Sequence, residues 1–314
     1  MKLINLKSIE LNNKAENYVA DDSLIKAVEI AIALGKPLLV SGEPGTGKTQ
    51  LAHHVAWQLN QQTQKDEIPF LKEPLVFNTK STSLANDLFY YYDAVSHFRN
   101  KNDTTPTERF IELRALGLAI ASSYGNSSNA LQGISNLKGF DKLESKPRSA
   151  VVLIDEIDKA PRDFPNDLLN EIEHYEFSIR EINQTIRRQN EGARIVLILT
   201  SNSEKNLPNA FLRRCVYYHI PFPDSEKLKL IARQRLLINN DEYNAAIEKA
   251  IAKFEDFRKK AINKRPATSE FLDWMNILKE EGILAKDNWE EDTNYKSSLS
   301  AIVKSNEDLN KISS

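Results

Sequence analysis

Residues 42–49 read Gly42-Glu43-Pro44-Gly45-Thr46-Gly47-Lys48-Thr49, between an apolar run at 37–40 and a helical pattern from Gln50 to Leu59. This order of strand, glycine-rich loop and helix is the one that a phosphate-binding P-loop requires. The glycines let backbone N–H groups approach a triphosphate, and the helix adds the positive end of its dipole. Lys48 would contact the β- and γ-phosphates, and the Thr49 hydroxyl would bind Mg²⁺. We therefore predict that this stretch, with Gln50, holds a nucleotide.

The composition limits the class of protein. The chain has 314 residues and a net charge of −2, with acids and bases interspersed, so nothing indicates a polybasic surface for nucleic acid. The single cysteine, Cys215, excludes an internal disulfide and a cysteine-based zinc site, and we interpret it as a small buried residue. No window approaches 18 uninterrupted apolar residues, and the first ten residues lack a signal-like apolar run. We therefore expect a cytoplasmic protein without a membrane span.

Strands and helices alternate as far as residue 222. Apolar runs that are typical of strands stand at 37–40, 75–77, 150–154, 195–199 and 216–220. Helical spacing between them, as in Leu24–Leu34 and Pro165–Tyr175, predicts an α/β core with a parallel sheet of five strands. Pro221-Phe222-Pro223 ends the pattern, so we place the core at 1–222. A helical domain follows at 223–285, and a polar tail at 286–314.

The region 82–149 is the least regular part of the core. Ala85–Phe98 predicts a helix that carries four consecutive aromatic residues, and Glu108–Ser122 predicts a second helix. The polar stretch Ser123–Arg148 predicts a loop or a small insert. We expect two of the four aromatics in the core, because aromatic side chains dominate core burial. The alternative is that they belong to an insert or line a pore. Farther on, alternation over Phe177–Arg188 predicts a hairpin.

Polar side chains follow two of the predicted strands. Asp155 and Glu156 end the run at 150–154, and Asn202 follows the run at 195–199. The carboxyl ends of parallel strands meet at one edge, where ligands collect, so we expect these residues together. Asp155 would hold Mg²⁺, Glu156 would polarise the attacking water, and Asn202 would contact the γ-phosphate and the water. The alternative is a set of solvated residues at strand ends.

Three arginines are further candidates. Arg213 and Arg214 precede a buried strand, and in a ring of subunits one of them would reach a neighbour's nucleotide. An ordinary surface ion pair is the alternative. Arg265 precedes a helix of the second domain and would contact the γ-phosphate, with Lys264 as its rival and a solvated surface position as the alternative. The motif for guanine recognition is absent, which favours ATP, and the five histidines show no metal-ligand spacing.

Together these residues resemble the AAA+ ATPases and, within them, the MoxR group. The stretches that carry the resemblance are 37–49, 153–161, 200–204 and 207–214, and it extends over about residues 15–285. The resemblance implies a five-stranded αβα core, a helical lid at 223–285, and a hexameric ring with ATP and Mg²⁺ at the subunit interfaces. Such proteins carry a small hairpin insert in the second helix of the core, and the region 82–149 is longer than that insert.

The resemblance also implies a role for each site residue. Lys48 and Thr49 take the Walker A roles, Asp155 and Glu156 the Walker B roles, and Asn202 the role of sensor 1. For the arginines it implies that Arg213 or Arg214 is the finger and that Arg265 is sensor 2.

Three functions compete at this point. The first is a MoxR-type ATPase that remodels a protein partner, such as one with a von Willebrand A domain. The second is a nucleic-acid motor or loader of the McrB kind, against which the net charge of −2 argues. The third is a nucleotide-dependent scaffold, against which Glu156 argues.

Overall fold

A computed structural model describes residues 13–313, except 65–66, 101–104, 189–191, 203–205, 239–242, 262, 287 and 290. The chain divides into two units. The first unit comprises Ala20–Gly42 and Lys48–Ile220, and the second comprises Met1–Val19, Glu43–Gly47 and Pro221–Ser314. The sequence also predicts a short arm over residues 1–15 and a helix cap at Asp241. Most of this arm, Asp241, and residues Ser203 and Glu204 of the stretch 200–204 lie outside the described residues.

A five-stranded parallel sheet forms the centre of the first unit, as the sequence predicts. With strands and helices numbered in chain order, its members are β1 (Leu38–Gly42), β2 (Leu75–Asn78), β5 (Ala150–Asp155), β8 (Ile195–Ser201) and β9 (Val216–Ile220). Their spatial order is β2-β5-β8-β1-β9. β1 is buried at all five positions, and β5 is buried at every position except its last residue, Asp155. These strands are apolar along their length because both faces of the sheet are covered.

Helices connect the strands of the first unit. They are α1 (Asp22–Leu34), α2 (Lys48–Gln62), α4 (Ala115–Ser122), α5 (Phe164–His174) and α6 (Asn209–Leu212). Leu39, Val152 and Leu199 join residues of α4 and α5 in one hydrophobic cluster. An antiparallel hairpin of β6 (Glu176–Ile179) and β7 (Gln184–Arg187) precedes β8, which confirms the predicted hairpin.

The structure between β2 and α4 differs from the prediction. A 3-10 turn at Ala85–Leu88 leads to β3 (Tyr90–Tyr92), α3 (Ala94–Arg99) and β4 (Ile111–Leu113), and β3 pairs with β4 antiparallel. The helix predicted over 85–98 is therefore wrong for its aromatic part, and the helix predicted over 108–122 begins only at α4. Aromatic residues favour extended backbone, and a strand here lets α4 pack directly on it.

Close packing of α4 against the aromatic run explains this outcome. Gly117 of α4 lies so near the Phe89 carbonyl that a Cβ would stand 2.1 Å from the oxygen. The Arg114 N–H donates to the same oxygen at 2.8 Å. Phe89 and Tyr90 are buried and Tyr91 is exposed, so two aromatics do lie in the core, but at the junction of the 3-10 turn and β3 and not on a helix.

The C-terminal part of the second unit is helical. Its helices are α7 (Ser225–Arg235), α8 (Asn244–Lys260), α9 (Thr268–Glu280), α10 (Thr293–Ile302) and α11 (Asn306–Ser313). The tail expected to be polar contributes Trp289, Tyr295 and Leu299 to the same buried cluster as α8 and α9. Residues 286–313 thus supply part of the core of this unit, because their few apolar residues fall on the inner faces of two short helices.

Candidate active site

The loop between β1 and α2 has a backbone that glycine alone adopts without strain. Gly45 and Gly47 have φ of +75° and +87°. A Cβ on Gly45 would stand 2.6 Å from Ser269 Oγ, and one on Gly47 would stand 3.1 Å from the Tyr18 ring. The Thr46 hydroxyl donates to the Glu43 carbonyl at 2.8 Å and closes the turn. The glycines therefore provide both the turn and the space for close packing.

Lys48 and Thr49 occupy the first turn of α2, in the first unit. The Lys48 side chain is buried, and its ammonium donates to the Gly42 carbonyl at 2.8 Å. Burial lowers the pKa of Lys48 below the usual lysine value, and the charges of Asp155, Asp158 and Glu156 partly offset this shift. The ammonium is therefore a positive charge held near three carboxylates.

Asp155 ends β5 and is held by two hydroxyl groups. Thr49 Oγ1 donates to both carboxylate oxygens at 3.1 Å, and Thr200 Oγ1 donates to Oδ1 at 2.5 Å. Thr200 Oγ1 also accepts from the backbone N–H of Glu156 at 2.8 Å. Hydroxyl and carboxylate oxygens are the ligands that Mg²⁺ prefers, so Thr49 and Asp155 fit the metal that the sequence predicts.

The Glu156 carboxylate is held between two side chains. Asn202 Nδ2 donates to its Oε1 at 2.9 Å, and the Lys159 ammonium pairs with its Oε2. Glu156 has a φ of +56°, which is uncommon for a residue with a side chain and is often found at functional sites. The two groups that the sequence analysis assigned to the attacking water therefore contact each other directly.

Three further residues belong to this edge of the sheet, and the local sequence patterns did not indicate their roles. They are Thr200, Lys159 and Asp158, whose buried carboxylate accepts from the Asn202 backbone N–H at 3.2 and 3.3 Å. All three lie in the stretches that carry the family resemblance, which was the available signal. The contacts of Thr200 and Asp158 join the stretch after β5 to β8 and its end, so no single stretch contains them, whereas Lys159 pairs with Glu156 three residues earlier in the chain.

The predicted site residues thus fall into two groups. Lys48, Thr49, Asp155, Glu156 and Asn202 lie together in the first unit, and Gln50 is half-buried one residue after Thr49. The remaining candidates lie outside this cluster: Gly42, Gly45, Thr46 and Gly47 form the loop described above, and Glu43, Pro44, Arg213, Arg214 and Arg265 are exposed.

The arginine candidates are exposed. Arg213 and Arg214 directly follow α6, and Arg265 precedes α9 in the second unit. Lys264, the rival of Arg265, forms an ion pair with Glu270 at 3.6 Å. In the described part of the chain, no group of three or more His, Cys, Asp or Glu residues could hold a metal ion by itself, and no helix is long and apolar enough to cross a membrane.

Comparison with known proteins identifies the family of this fold. A sequence model of the "ATPase family associated with various cellular activities (AAA)" matches residues 38–223. Three variants of Thermotoga maritima RuvB are similar in structure, with 16–17% identity and TM-scores of 0.42, 0.44 and 0.46. These matches cover 92–93% of this chain and 69–73% of those chains. No curated protein matches the chain in a sequence search.

Proposed function

Because the chain belongs to the AAA family and is therefore an ATPase, we propose that it uses ATP hydrolysis to remodel or assemble a protein partner, as a ring of the MoxR type. The ATP site that we propose comprises the loop from Gly42 to Gly47, Lys48 and Thr49. Asp155, Glu156 and Asn202 complete it from the neighbouring strands. Five residues with complementary chemistry at one sheet edge support this assignment.

Each residue of this site has a role that follows from its contacts. Lys48 carries the charge that neutralises the phosphates, and Thr49 and Asp155 would hold Mg²⁺. The metal would supply neutralisation of charge on the phosphate oxygens. Glu156 accepts hydrogen bonds through both carboxylate oxygens, so it orients a water by exchanging one present partner, Asn202 or Lys159. If Asn202 is the partner exchanged, its amide becomes available to donate to the γ-phosphate.

The observation that favours a protein partner is the exposed apolar surface of the β3–α3–β4 segment (residues 90–113). Val95 and Phe98 of α3 are 61% and 71% exposed. They lie three residues apart and therefore on the same face of the helix. Acidic and basic residues are nearly balanced within the segment, so it lacks the basic surface that nucleic acid requires. Adjacent exposed apolar side chains favour a protein contact over a nucleic-acid contact, because contiguous apolar surface marks sites of protein interaction.

The position of Arg213 and Arg214 supports a ring. Both side chains are exposed beyond α6, and an exposed arginine is available to a phosphate on a neighbouring subunit. Mixing experiments test this part of the proposal. Arg213→Ala or Arg214→Ala subunits mixed with Lys48→Ala subunits should regain part of the ATPase activity. In one of the two orders, a mixed interface combines the intact site of the arginine variant with the intact arginine of the Lys48→Ala subunit. Absence of recovery in both mixtures would contradict action between subunits.

The experiment that tests the proposed function uses the Glu156→Gln variant, which should bind ATP and retain its partner. Proteins captured with ATP and released with ADP are identified by mass spectrometry and then tested, after purification, for stimulation of wild-type ATPase activity. In parallel, gel shifts with single- and double-stranded DNA are measured at several salt concentrations. Tight, ATP-dependent binding of DNA without any stimulating protein would overturn the proposal in favour of a nucleic-acid motor.

A further inference from the structure

Arg258 lies in the last turn of α8, and its side chain is only 13% exposed. Its guanidinium makes three contacts within the second unit. Nη2 donates to Glu43 Oε2 at 2.9 Å, Nη1 donates to the Pro266 carbonyl, and Cζ stands 3.5 Å from the centre of the Phe222 ring. One buried cation therefore joins three segments that are distant in the sequence.

Each of these segments borders a functional element. Glu43 is the second residue of the phosphate-binding loop, Pro266 directly follows Arg265, and Phe222 lies between the two prolines that follow β9. Arginine suits this position better than lysine, since its planar group stacks on a ring while it donates in two directions. A lysine could satisfy only part of this arrangement.

The contact with Glu43 acts on the shape of the loop. The Glu43 carbonyl accepts from the Thr46 hydroxyl and, at 3.4 Å, from the Thr46 N–H. A contact that holds Glu43 in place therefore also holds the turn from Glu43 to Thr46, which contains Gly45. Gly45 in turn lies against the start of α9, where a Cβ would meet Ala267 at 2.9 Å. Since Arg258 also binds the Pro266 carbonyl, it holds both sides of this contact.

We propose that Arg258 is a positioning residue that holds the loop 43–47 in the shape that binds the triphosphate. The proposal rests on the nucleotide site assigned above, to which the loop is joined through Lys48. If the loop samples other shapes, only the fraction in the competent shape binds, and the apparent affinity falls by that fraction. The contribution of Arg258 is therefore to binding, while the groups that act on the water remain unchanged.

The test measures ATP binding and turnover of the full chain for Arg258→Met, which keeps much of the apolar stem and removes both hydrogen bonds. We expect the KM for ATP to rise about three- to tenfold with kcat nearly unchanged because, of the two lost bonds, only the partly exposed, charge-assisted one to Glu43 acts directly on the loop. The matched control is Lys259→Met, at the next position of the helix. Because the Lys259 side chain is exposed, this variant should leave both KM and kcat unchanged. A fall in kcat with unchanged KM would overturn the proposal.

A double-mutant cycle separates positioning from general damage to the fold. Glu43→Gln should raise the KM in the same direction, and Arg258→Met in that background should add little, because the two residues act through one contact. The difference between wild type and Arg258→Met should also shrink at high salt, since Glu43 is 49% exposed. Additive effects in the cycle would contradict a shared contact.

A further variant tests the assignment of the nucleotide site separately from the role of Arg258. Lys48→Ala should abolish ATP binding, measured by titration with a fluorescent ATP analogue. If Lys48→Ala binds ATP normally, the assigned site is wrong. If Lys48→Ala fails to bind while Arg258→Met binds like wild type and melts at the same temperature, the site stands and the role of Arg258 is refuted.

Discussion

The sheet edge around Glu156 and the β3–α3–β4 segment differ in the surroundings of their accessible side chains. At the sheet edge, Asp155, Glu156 and Asn202 each contact other polar groups, so their positions are set before any ligand binds. On α3, by contrast, Val95 and Phe98 expose 61% and 71% of their surface. A site for a small charged ligand needs preorganised polar groups, whereas a contact with a large partner needs accessible apolar area.

The support beneath the two regions differs as well. Thr200 is completely buried and joins Asp155 to the Glu156 backbone. Under α3, the Asp93 side chain caps the helix by accepting from the Ser96 N–H at 3.0 Å, and His97 stacks on Phe110 with the ring centres 4.6 Å apart. Both regions are therefore supported by specific contacts. They differ in the kind of surface that a ligand can reach: polar groups at the sheet edge and apolar side chains on α3.

The largest effect is expected at Glu156. Glu156→Gln keeps the size and one acceptor of the side chain but removes its charge, so ATP hydrolysis should fall about a hundredfold or more while ATP binding persists. Phosphate release and ATP titration measure the two properties separately. Glu181→Gln, at an exposed position of the hairpin, is the matched control. Turnover at the wild-type rate would refute Glu156 as the group that activates water.

A smaller effect is expected from Thr200→Val, which removes the hydroxyl beneath the sheet edge at nearly constant volume. The buried N–H of Glu156 then loses its acceptor, which should lower the free energy of unfolding by about 1–3 kcal/mol. Urea unfolding measures this change. Thr185→Val on the exposed β7 hairpin strand should change it by less than about 0.5 kcal/mol. Equal stabilities of the two variants would show that the Thr200 contacts contribute nothing.

For the β3–α3–β4 segment we expect almost no effect on the isolated protein. The double variant Val95→Ser, Phe98→Ser should keep basal ATPase activity and lie within about 1 kcal/mol of wild-type stability, since both side chains are exposed. It should lose the stimulation by a protein partner identified with the Glu156→Gln variant. Leu230→Ser, which removes a 56% exposed apolar residue of α7, serves as control. Stimulation that persists in the double variant would place the partner elsewhere.

At neutral pH the smallest effect is expected at Cys215, which lies between α6 and β9 and packs, partly buried, against the core of the first unit. Burial raises the pKa of this thiol to about 12. Its contribution to stability is therefore fully present below the pKa of an unfolded cysteine, near 8.5, and is lost as the pH rises toward 12. Relative to Cys215→Ala, wild type should lose up to about 1.4 kcal/mol per pH unit in this window. Parallel stability curves from pH 8 to 10.5 would contradict the shift.

Much of the fold was predictable because its signals are local. The central strands β1, β5 and β8 each contain a continuous apolar run, and burial on both faces produces such a run without reference to its neighbours. The segment between β2 and α4 was not predictable in this way. Its four aromatic residues fit a helix or a strand, and the choice depended on Gly117 of α4, which lets the two backbones meet.

By itself the sequence determined which groups we propose for the chemistry: the glycines and Lys48 of the loop, the acids at the end of β5, and Asn202 after β8. Only the tertiary structure decided which residues support them. Thr49 and Asp155 are 106 positions apart, and Glu43 and Arg258 are 215 positions apart. Residue types with a required chemistry are visible in a local pattern, whereas a supporting contact depends on the packing of distant segments, which no local pattern encodes.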